Sequence, residues 1–151
     1  MAKIMIVDDD RTTVMLLTTF LELEDFAVVN VPRGGMAMDK ARAENPDAFL
    51  IDFRLQDMEG TKVISLLRAD PQFAKTPIVM SSGMNIEDEA LKVGANVFLV
   101  KPFEPGDLPR IFNDLIKANT ANTSNNVANT SSSATNLSGN AANTSSNTSK
   151  T

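Results

Sequence analysis

Short apolar runs alternate with stretches of helical spacing along the first 117 residues. Runs rich in aliphatic and β-branched side chains, typical of strands, occupy residues 3–7, 27–31, 48–53, 77–81 and 97–100. After each run, apolar side chains recur every three or four residues, as Val14, Leu17 and Leu21 do after the first. The pattern therefore predicts five strands, each followed by a helix.

The composition of the runs indicates how the strands pair. Residues 4–7 and 49–51 are apolar at consecutive positions, so both faces of these strands need to be covered. A parallel sheet with helices on both faces meets this need, and right-handed crossovers leave few topologies open. We therefore predict an α/β fold, a five-stranded parallel sheet doubly wound as (βα)5. Ligands bind such folds at the carboxyl ends of the strands.

The composition changes abruptly after Lys117. Residues 118–151 are almost wholly Asn, Thr, Ser and Ala, and Lys150 is their single charge. Such a segment cannot bury enough apolar surface to offset the entropy of ordering it. We predict one folded domain over residues 1–117 and a disordered Asn/Thr/Ser/Ala-rich tail over residues 118–151. No output domain is expected after Lys117.

Charge and residue usage exclude several classes of function. The chain of 151 residues carries a net charge of −5 and contains neither His nor Cys. The acidic balance predicts no nucleic-acid partner and no membrane partner, and ordinary zinc sites, thiol nucleophiles and imidazole bases are excluded. No signal-peptide or lipidation motif follows Met1, which predicts a cytoplasmic protein.

Polar side chains follow the predicted strands on one edge of the sheet. Asp8 and Asp9 follow the first strand, Asp52 lies at the end of the third, Ser82 follows the fourth and Lys101 follows the fifth. Clustered carboxylates need a counter-charge, which either Lys101 or a divalent cation can supply. Because the available ligands are all oxygen atoms, that cation would be Mg²⁺. The set favours phosphoryl chemistry, and a plain Lys101–Asp52 ion pair is the simpler alternative.

In order and strand context these motifs resemble the response-regulator receiver domain of two-component signalling, the CheY-like superfamily with a flavodoxin-like fold. The resemblance covers residues 3–117 and includes Lys101, Pro102 and Phe103, which match a Lys-Pro-Phe signature. It implies that Asp8 and Asp9 bind Mg²⁺ and that Asp52 accepts a phosphoryl group. The donor would be a phosphohistidine on a histidine kinase or phosphotransfer protein.

The resemblance assigns further roles around the site. Ser82 and Lys101 would contact the phosphoryl group, and the backbone carbonyl of Arg54 would be the third protein ligand of the metal beside Asp8, Asp9 and Asp52. Phe98 occupies the position of the switch aromatic. The Lys101–Pro102 peptide bond is expected to be cis. Gln56 stands where the family usually has Pro.

We expect a stand-alone response regulator in which phosphorylation of Asp52 switches binding to a downstream target protein. Self-phosphotransfer and autodephosphorylation would make it a phosphoacceptor switch and not a conventional enzyme. Asp8, Asp10 and Thr12 also fit the Asp-x-Asp-x-Thr pattern of haloacid-dehalogenase-type phosphatases, with Asp8 as nucleophile. A receiver-like interaction module that is not phosphorylated is the third interpretation.

Overall fold

The computed structural model describes residues 1–128, with side chains placed as far as residue 121. Within this range, five strands and five helices alternate along the chain. The strands are β1 (Lys3–Val7), β2 (Ala27–Val31), β3 (Ala48–Asp52), β4 (Ile78–Ser82) and β5 (Val97–Val100). The helices are α1 (Arg11–Leu23), α2 (Ala37–Glu44), α3 (Gly60–Ala69), α4 (Glu87–Val93) and α5 (Leu108–Ala128), with single 3-10 turns at Gly34–Met36 and Pro105–Asp107.

All five strands are parallel and form one sheet in the order β2-β1-β3-β4-β5. This is the doubly wound, flavodoxin-like order, which confirms the predicted fold. The chain reverses its direction of winding between β1 and β3, so the loops after these two strands face each other at the carboxyl edge. Asp52, the last residue of β3, pairs in register with Ser81 of β4.

Alternate residues of each strand enter two apolar cores. One core packs Met5 of β1 and Ile51 of β3 against helices α2, α3 and α4. The other packs Ile6 of β1 and Leu50 of β3 against helices α1 and α5, which contribute Leu21 and Phe112. Both faces of the sheet are thus covered, and the polar residues at the strand ends lie at its carboxyl edge.

Three strand ends differ by one residue from the prediction. β3 ends at Asp52 instead of residue 53, and β4 covers Ile78–Ser82 instead of residues 77–81. Pro77 lacks the N–H that a strand residue donates to its neighbour, although its carbonyl accepts from Phe49 N at 2.9 Å. Ser82 is included because it pairs with Val100 of β5.

Helix α5 continues past the predicted end of the domain. The compact unit that carries the sheet comprises Met1–Asn119, close to the expected boundary at Lys117. The helix itself extends to Ala128, so the first part of the predicted tail is helical. Although Asn, Thr and Ser are weak helix formers, continuing an existing helix avoids the costly nucleation that an isolated helix requires. The prediction of disorder for residues 129–151 lies outside the described residues.

None of the helices in the described part of the chain is long and apolar enough to span a membrane.

Arg68 connects three segments at the amino-terminal edge of β4 and β5. Its guanidinium donates to the carbonyls of Thr76 at 2.7 Å and Gly94 at 2.8 Å and to Asn96 Oδ1 at 3.0 Å. It also donates to the carbonyls of Phe73 and Ala74. Burial lowers the pKa of the guanidinium from its ordinary value. The segment after α3, the end of α4 and the start of β5 are therefore held together by one side chain.

Replacing Arg68 by Met is expected to lower the free energy of unfolding by about 2–3 kcal/mol, since several partly buried carbonyls lose their donors together. Urea denaturation followed by circular dichroism measures the change. Arg42→Met is the matched control, because Arg42 is an exposed partner of Asp70 at 3.0 Å, and its loss should cost under about 1 kcal/mol. Equal losses for the two variants would contradict the connecting role of Arg68.

Candidate functional site

Asp52 and Lys101 form an ion pair at the carboxyl edge of the sheet. Asp52 is 8% exposed, and Lys101 Nζ lies 2.7 Å from its Oδ1. Lys101 follows β5 directly, and its side chain reaches across the end of β4 to the end of β3. A buried carboxylate without a partner is costly, so the ammonium stabilises the end of β3.

Lys101 keeps its charge at this position. Burial alone would lower the pKa of its ammonium, but the hydrogen bond and charge of Asp52 outweigh burial and raise that pKa. The backbone N–H of Lys101 donates to the Ser82 carbonyl at 2.8 Å. The Lys101–Pro102 peptide bond is cis, the isomer expected at this position.

Asp8 is a second buried carboxyl group at this edge, 4% exposed. The pKa of Asp8 is raised to about 6, first by burial and also by the charge of Asp52, against the opposing hydrogen bond from Asp10 N. That hydrogen bond, to Asp8 Oδ1, measures 2.9 Å. Within residues 1–121, no Lys or Arg forms a salt bridge with Asp8. The protein thus leaves one buried carboxyl group without a cation.

Asp9 does not join Asp8 and Asp52 in the predicted cluster. Its Oδ2 accepts the Gln56 N–H at 2.9 Å, in the loop between β3 and α3. Among the side chains that the structure describes, no three acidic groups lie close enough together to hold a metal ion. The convergence of the three carboxylates on one cation stays a prediction; in this structure a backbone N–H engages the third.

The hydroxyl group near Asp52 belongs to Ser81. Its Oγ lies 3.5 Å from Asp52 Oδ1, whereas Ser82 Oγ accepts the Met84 N–H at 3.0 Å. Both serines are 3% exposed. Sequence reasoning placed both serines at this edge and chose Ser82 for the phosphoryl contact, which stays a prediction. The signal that could have found Ser81 is the register, since it is the ladder partner of Asp52.

The loop after β3 is closed by backbone hydrogen bonds that leave the Arg54 carbonyl out. Gly60 N donates to Phe53 O at 2.6 Å, and Leu55 N donates to Met58 O at 3.2 Å. A Cβ atom on Gly60 would collide with the backbone oxygen of Asp52, so only Gly allows α3 to begin this close to β3.

The side chains of Asp57 and Arg54 attach this loop to neighbouring segments. Asp57 accepts the N–H groups of Gly34 and Gly35 at 3.0 and 2.8 Å, and these bonds hold the pKa of its carboxyl below the ordinary value. Arg54 Nη2 lies 3.6 Å from Met84 Sδ, and its guanidinium lies 5.9 Å from the Phe53 ring centroid. The loop is thus attached both to the start of α2 and to the end of β4.

Phe98 packs against the core, and Asp10 caps a helix. Phe98 is partly buried in β5 and packs against the core below α3 and α4, so its role as a switch stays a prediction. Asp10 caps α1, and its Oδ1 accepts the Thr12 N–H at 3.1 Å. Its hydrogen bonds with Thr13 lower the pKa of this exposed carboxyl.

The family model of the response regulator receiver domain matches residues 4–113. The chain is 33% identical over 109 residues to the alkaline phosphatase synthesis transcriptional regulatory protein PhoP of Bacillus subtilis, covering 70% of this chain and 45% of that protein. It is 32% identical over 124 residues to the transcriptional regulatory protein SrrA of Staphylococcus aureus, covering 80% and 50%. The chain therefore spans about half the length of the curated relatives it matches.

Solved structures agree with this match. A CheY-like receiver domain protein of Methanospirillum hungatei superposes with a TM-score of 0.75 at 26% identity, covering 81% of this chain and 98% of that one. The chemotaxis response regulator CheY4 of Vibrio cholerae gives 0.71 at 28% identity, covering 76% and 98%. The fold, the family match over residues 4–113 and the similar proteins define one class. The chain belongs to the response regulator receiver domain family.

Without divalent cations, Asp8→Asn is expected to raise the free energy of unfolding, and the gain should grow between about pH 4 and about pH 6. The Asp8 carboxyl has an ordinary pKa of 3.8 and a folded pKa of about 6. Between these values the folded state binds more protons than the unfolded state, so stability falls as the pH rises. Above this window the gain should level off at about 1–3 kcal/mol.

Urea denaturation at a series of pH values measures this difference between variant and wild type. Asp114→Asn, on the exposed face of α5, is the control and should change stability little at any pH. A gain from Asp8→Asn that is constant across the series would contradict the buried, unpaired carboxyl group.

Proposed function

We propose that this receiver domain is a Mg²⁺-dependent phosphoacceptor whose Asp52 takes a phosphoryl group from a phosphohistidine on a histidine kinase or phosphotransfer protein. The observation that carries the proposal is the buried Asp52 carboxylate held at 2.7 Å from the Lys101 ammonium. Lys101 Nζ engages Asp52 Oδ1, and Ser81 Oγ lies near the same oxygen. This leaves Asp52 Oδ2 as the nucleophile.

The residues at the edge fit a divalent cation. Asp8 is buried with a raised pKa and, within the described side chains, without a cationic partner, so a cation would satisfy it. The ligands that the resemblance implies beside Asp8, from Asp52, Asp9 and the Arg54 carbonyl, are all oxygen atoms, and Mg²⁺ binds such sets while retaining water. Mg²⁺, when bound there, would neutralise part of the charge on the phosphoryl oxygens.

Phosphoryl transfer needs little more than positioning and charge. As the bond from Asp52 Oδ2 to phosphorus forms, the phosphorus–nitrogen bond to the partner's His breaks, and the imidazole leaves with its bonding pair and takes up a proton. Lys101 stabilises the negative charge from the side opposite to Asp8. The Ser82 hydroxyl can reach a phosphoryl oxygen once it turns away from Met84 N.

The output of the switch would be protein binding. Phosphorylation replaces the single negative charge of the Asp52 carboxylate by the about one and a half to two negative charges of an acyl phosphate. The larger charge lies beside Lys101 and Ser82 and favours a conformation that draws both groups inward. A downstream target would bind this conformation preferentially. The stand-alone arrangement and the absence of nucleic-acid contact stay predictions, since the matching relatives are named transcriptional regulatory proteins and are about twice as long.

The phosphatase alternative has less support. It requires Asp10 to act on substrate beside Asp8, but Asp10 is exposed and its carboxylate caps α1. The match to the receiver family covers residues 4–113, including both aspartates.

Incubation with acetyl phosphate and Mg²⁺, followed by mass mapping, is expected to place an acyl phosphate on Asp52. Asp52→Asn should remove the modification. Lys101→Met should slow phosphorylation at least about ten-fold through loss of charge stabilisation, whereas Lys92→Met, which removes an exposed cation of α4, should leave the rate unchanged.

Circular dichroism of each variant verifies that it folds. Modification of Asp8 instead of Asp52 would support the phosphatase interpretation. Absence of both Mg²⁺ binding and modification would support an interaction module that is not phosphorylated.

A further inference from the structure

The hydrogen bond from Gln56 N to Asp9 Oδ2 connects two loops at the carboxyl edge. One is the loop between β1 and α1, which carries Asp8 and Asp9, and the other is the loop between β3 and α3, which carries Arg54 and Gln56. The bond measures 2.9 Å and joins a backbone donor to an ionisable carboxyl group. Charge-assisted bonds of this kind are stronger than ordinary ones.

This bond determines where the Asp9 carboxyl group lies. With Oδ2 engaged by the loop, Asp9 does not complete a metal-holding group with Asp8 and Asp52 within the described side chains. Mg²⁺ requires near-ideal octahedral geometry at short distances, so it tolerates a misplaced ligand poorly. If the Asp9 carboxyl group turns to bring its oxygens to such an ion beside Asp8, the Gln56 N–H loses its acceptor.

A second anchor limits how far the loop can move. Asp57, one residue after Gln56, remains attached to the N–H groups of Gly34 and Gly35. These two bonds do not involve Asp9. Release of the Gln56 N–H would therefore affect the first half of the loop, where the Arg54 carbonyl lies, and leave the second half attached.

On the basis of the proposed function, we propose that the Gln56 main-chain N–H competes with a divalent cation for Asp9. In the metal-free protein the N–H holds the Asp9 carboxyl group against the loop. When the cation takes Asp9, the N–H is released and the start of the loop changes conformation. Gln56 is thus a positioning residue that connects cation binding to the segment following the phosphoacceptor.

The first test compares two substitutions at residue 56 by calorimetric titration with Mg²⁺. Gln56→Pro removes the N–H, and Gln56→Ala removes the side chain but keeps the N–H. The Pro variant is expected to bind Mg²⁺ about ten-fold more tightly than wild type, because one charge-assisted hydrogen bond no longer has to break. The Ala variant should match wild type.

The second test follows the Gln56 amide by NMR and does not depend on whether the Pro variant folds. In wild type without metal, the amide proton should show the shift and slowed exchange of a hydrogen-bonded group, and both should be lost as Mg²⁺ saturates the site. Asp9→Ala should abolish them without metal.

The outcomes separate this competition from the function on which it rests. Mg²⁺ binding with equal or weaker affinity in Gln56→Pro, or a Gln56 amide that stays bonded at saturation, would overturn the competition alone. Failure of wild type and both variants to bind Mg²⁺ would overturn the competition and the proposed function together.

Discussion

The ion pair between Asp52 and Lys101 is the interaction on which the carboxyl edge depends. Asp52 ends β3, a strand that is buried along its whole length, and an unpaired charge there would be expelled or neutralised. The sheet order puts β4 between the two partners, so the pair closes over the end of the central strands. The pair engages Oδ1 of Asp52 and does not involve Oδ2.

The same edge holds more negative than positive charge. Lys101 pairs with Asp52. The Asp8 carboxyl group accepts a hydrogen bond from Asp10 N and has a raised pKa. The imbalance can be resolved by a proton or by a cation, and the two compete for the same carboxyl group. Because a buried, ionised Asp8 is unfavourable without a partner, binding of a proton or a cation to this carboxyl group is strengthened.

Most of the fold and the positions of the main site residues could be predicted from the sequence. Runs such as residues 4–7 define buried parallel strands, and Asp52 and Lys101 follow such runs, so the edge on which they meet is set by topology. The orientation of side chains there could not be predicted. Whether Asp9 faces Asp8 or Gln56 depends on a loop 47 residues away, and hydropathy patterns contain no information about its backbone.

Strand ends and hydroxyl groups show the same limit. Ser81 and Ser82 are adjacent and chemically identical, and only the register of β3 with β4 decides which one lies beside Asp52. Helix α5 also extends beyond Lys117, to Ala128. Composition indicates whether a segment can be buried, but it does not indicate whether an existing helix continues into that segment.

The packing of Arg68 on Gly94 links two positions that are far apart in the chain. Gly94 has φ +121°, and a Cβ atom there would lie 2.7 Å from Arg68 Cγ. A larger residue at position 94 and the long side chain at position 68 therefore exclude each other. In an alignment of homologues, these two sites are expected to covary, so that loss of the arginine relaxes the steric part of the requirement for glycine.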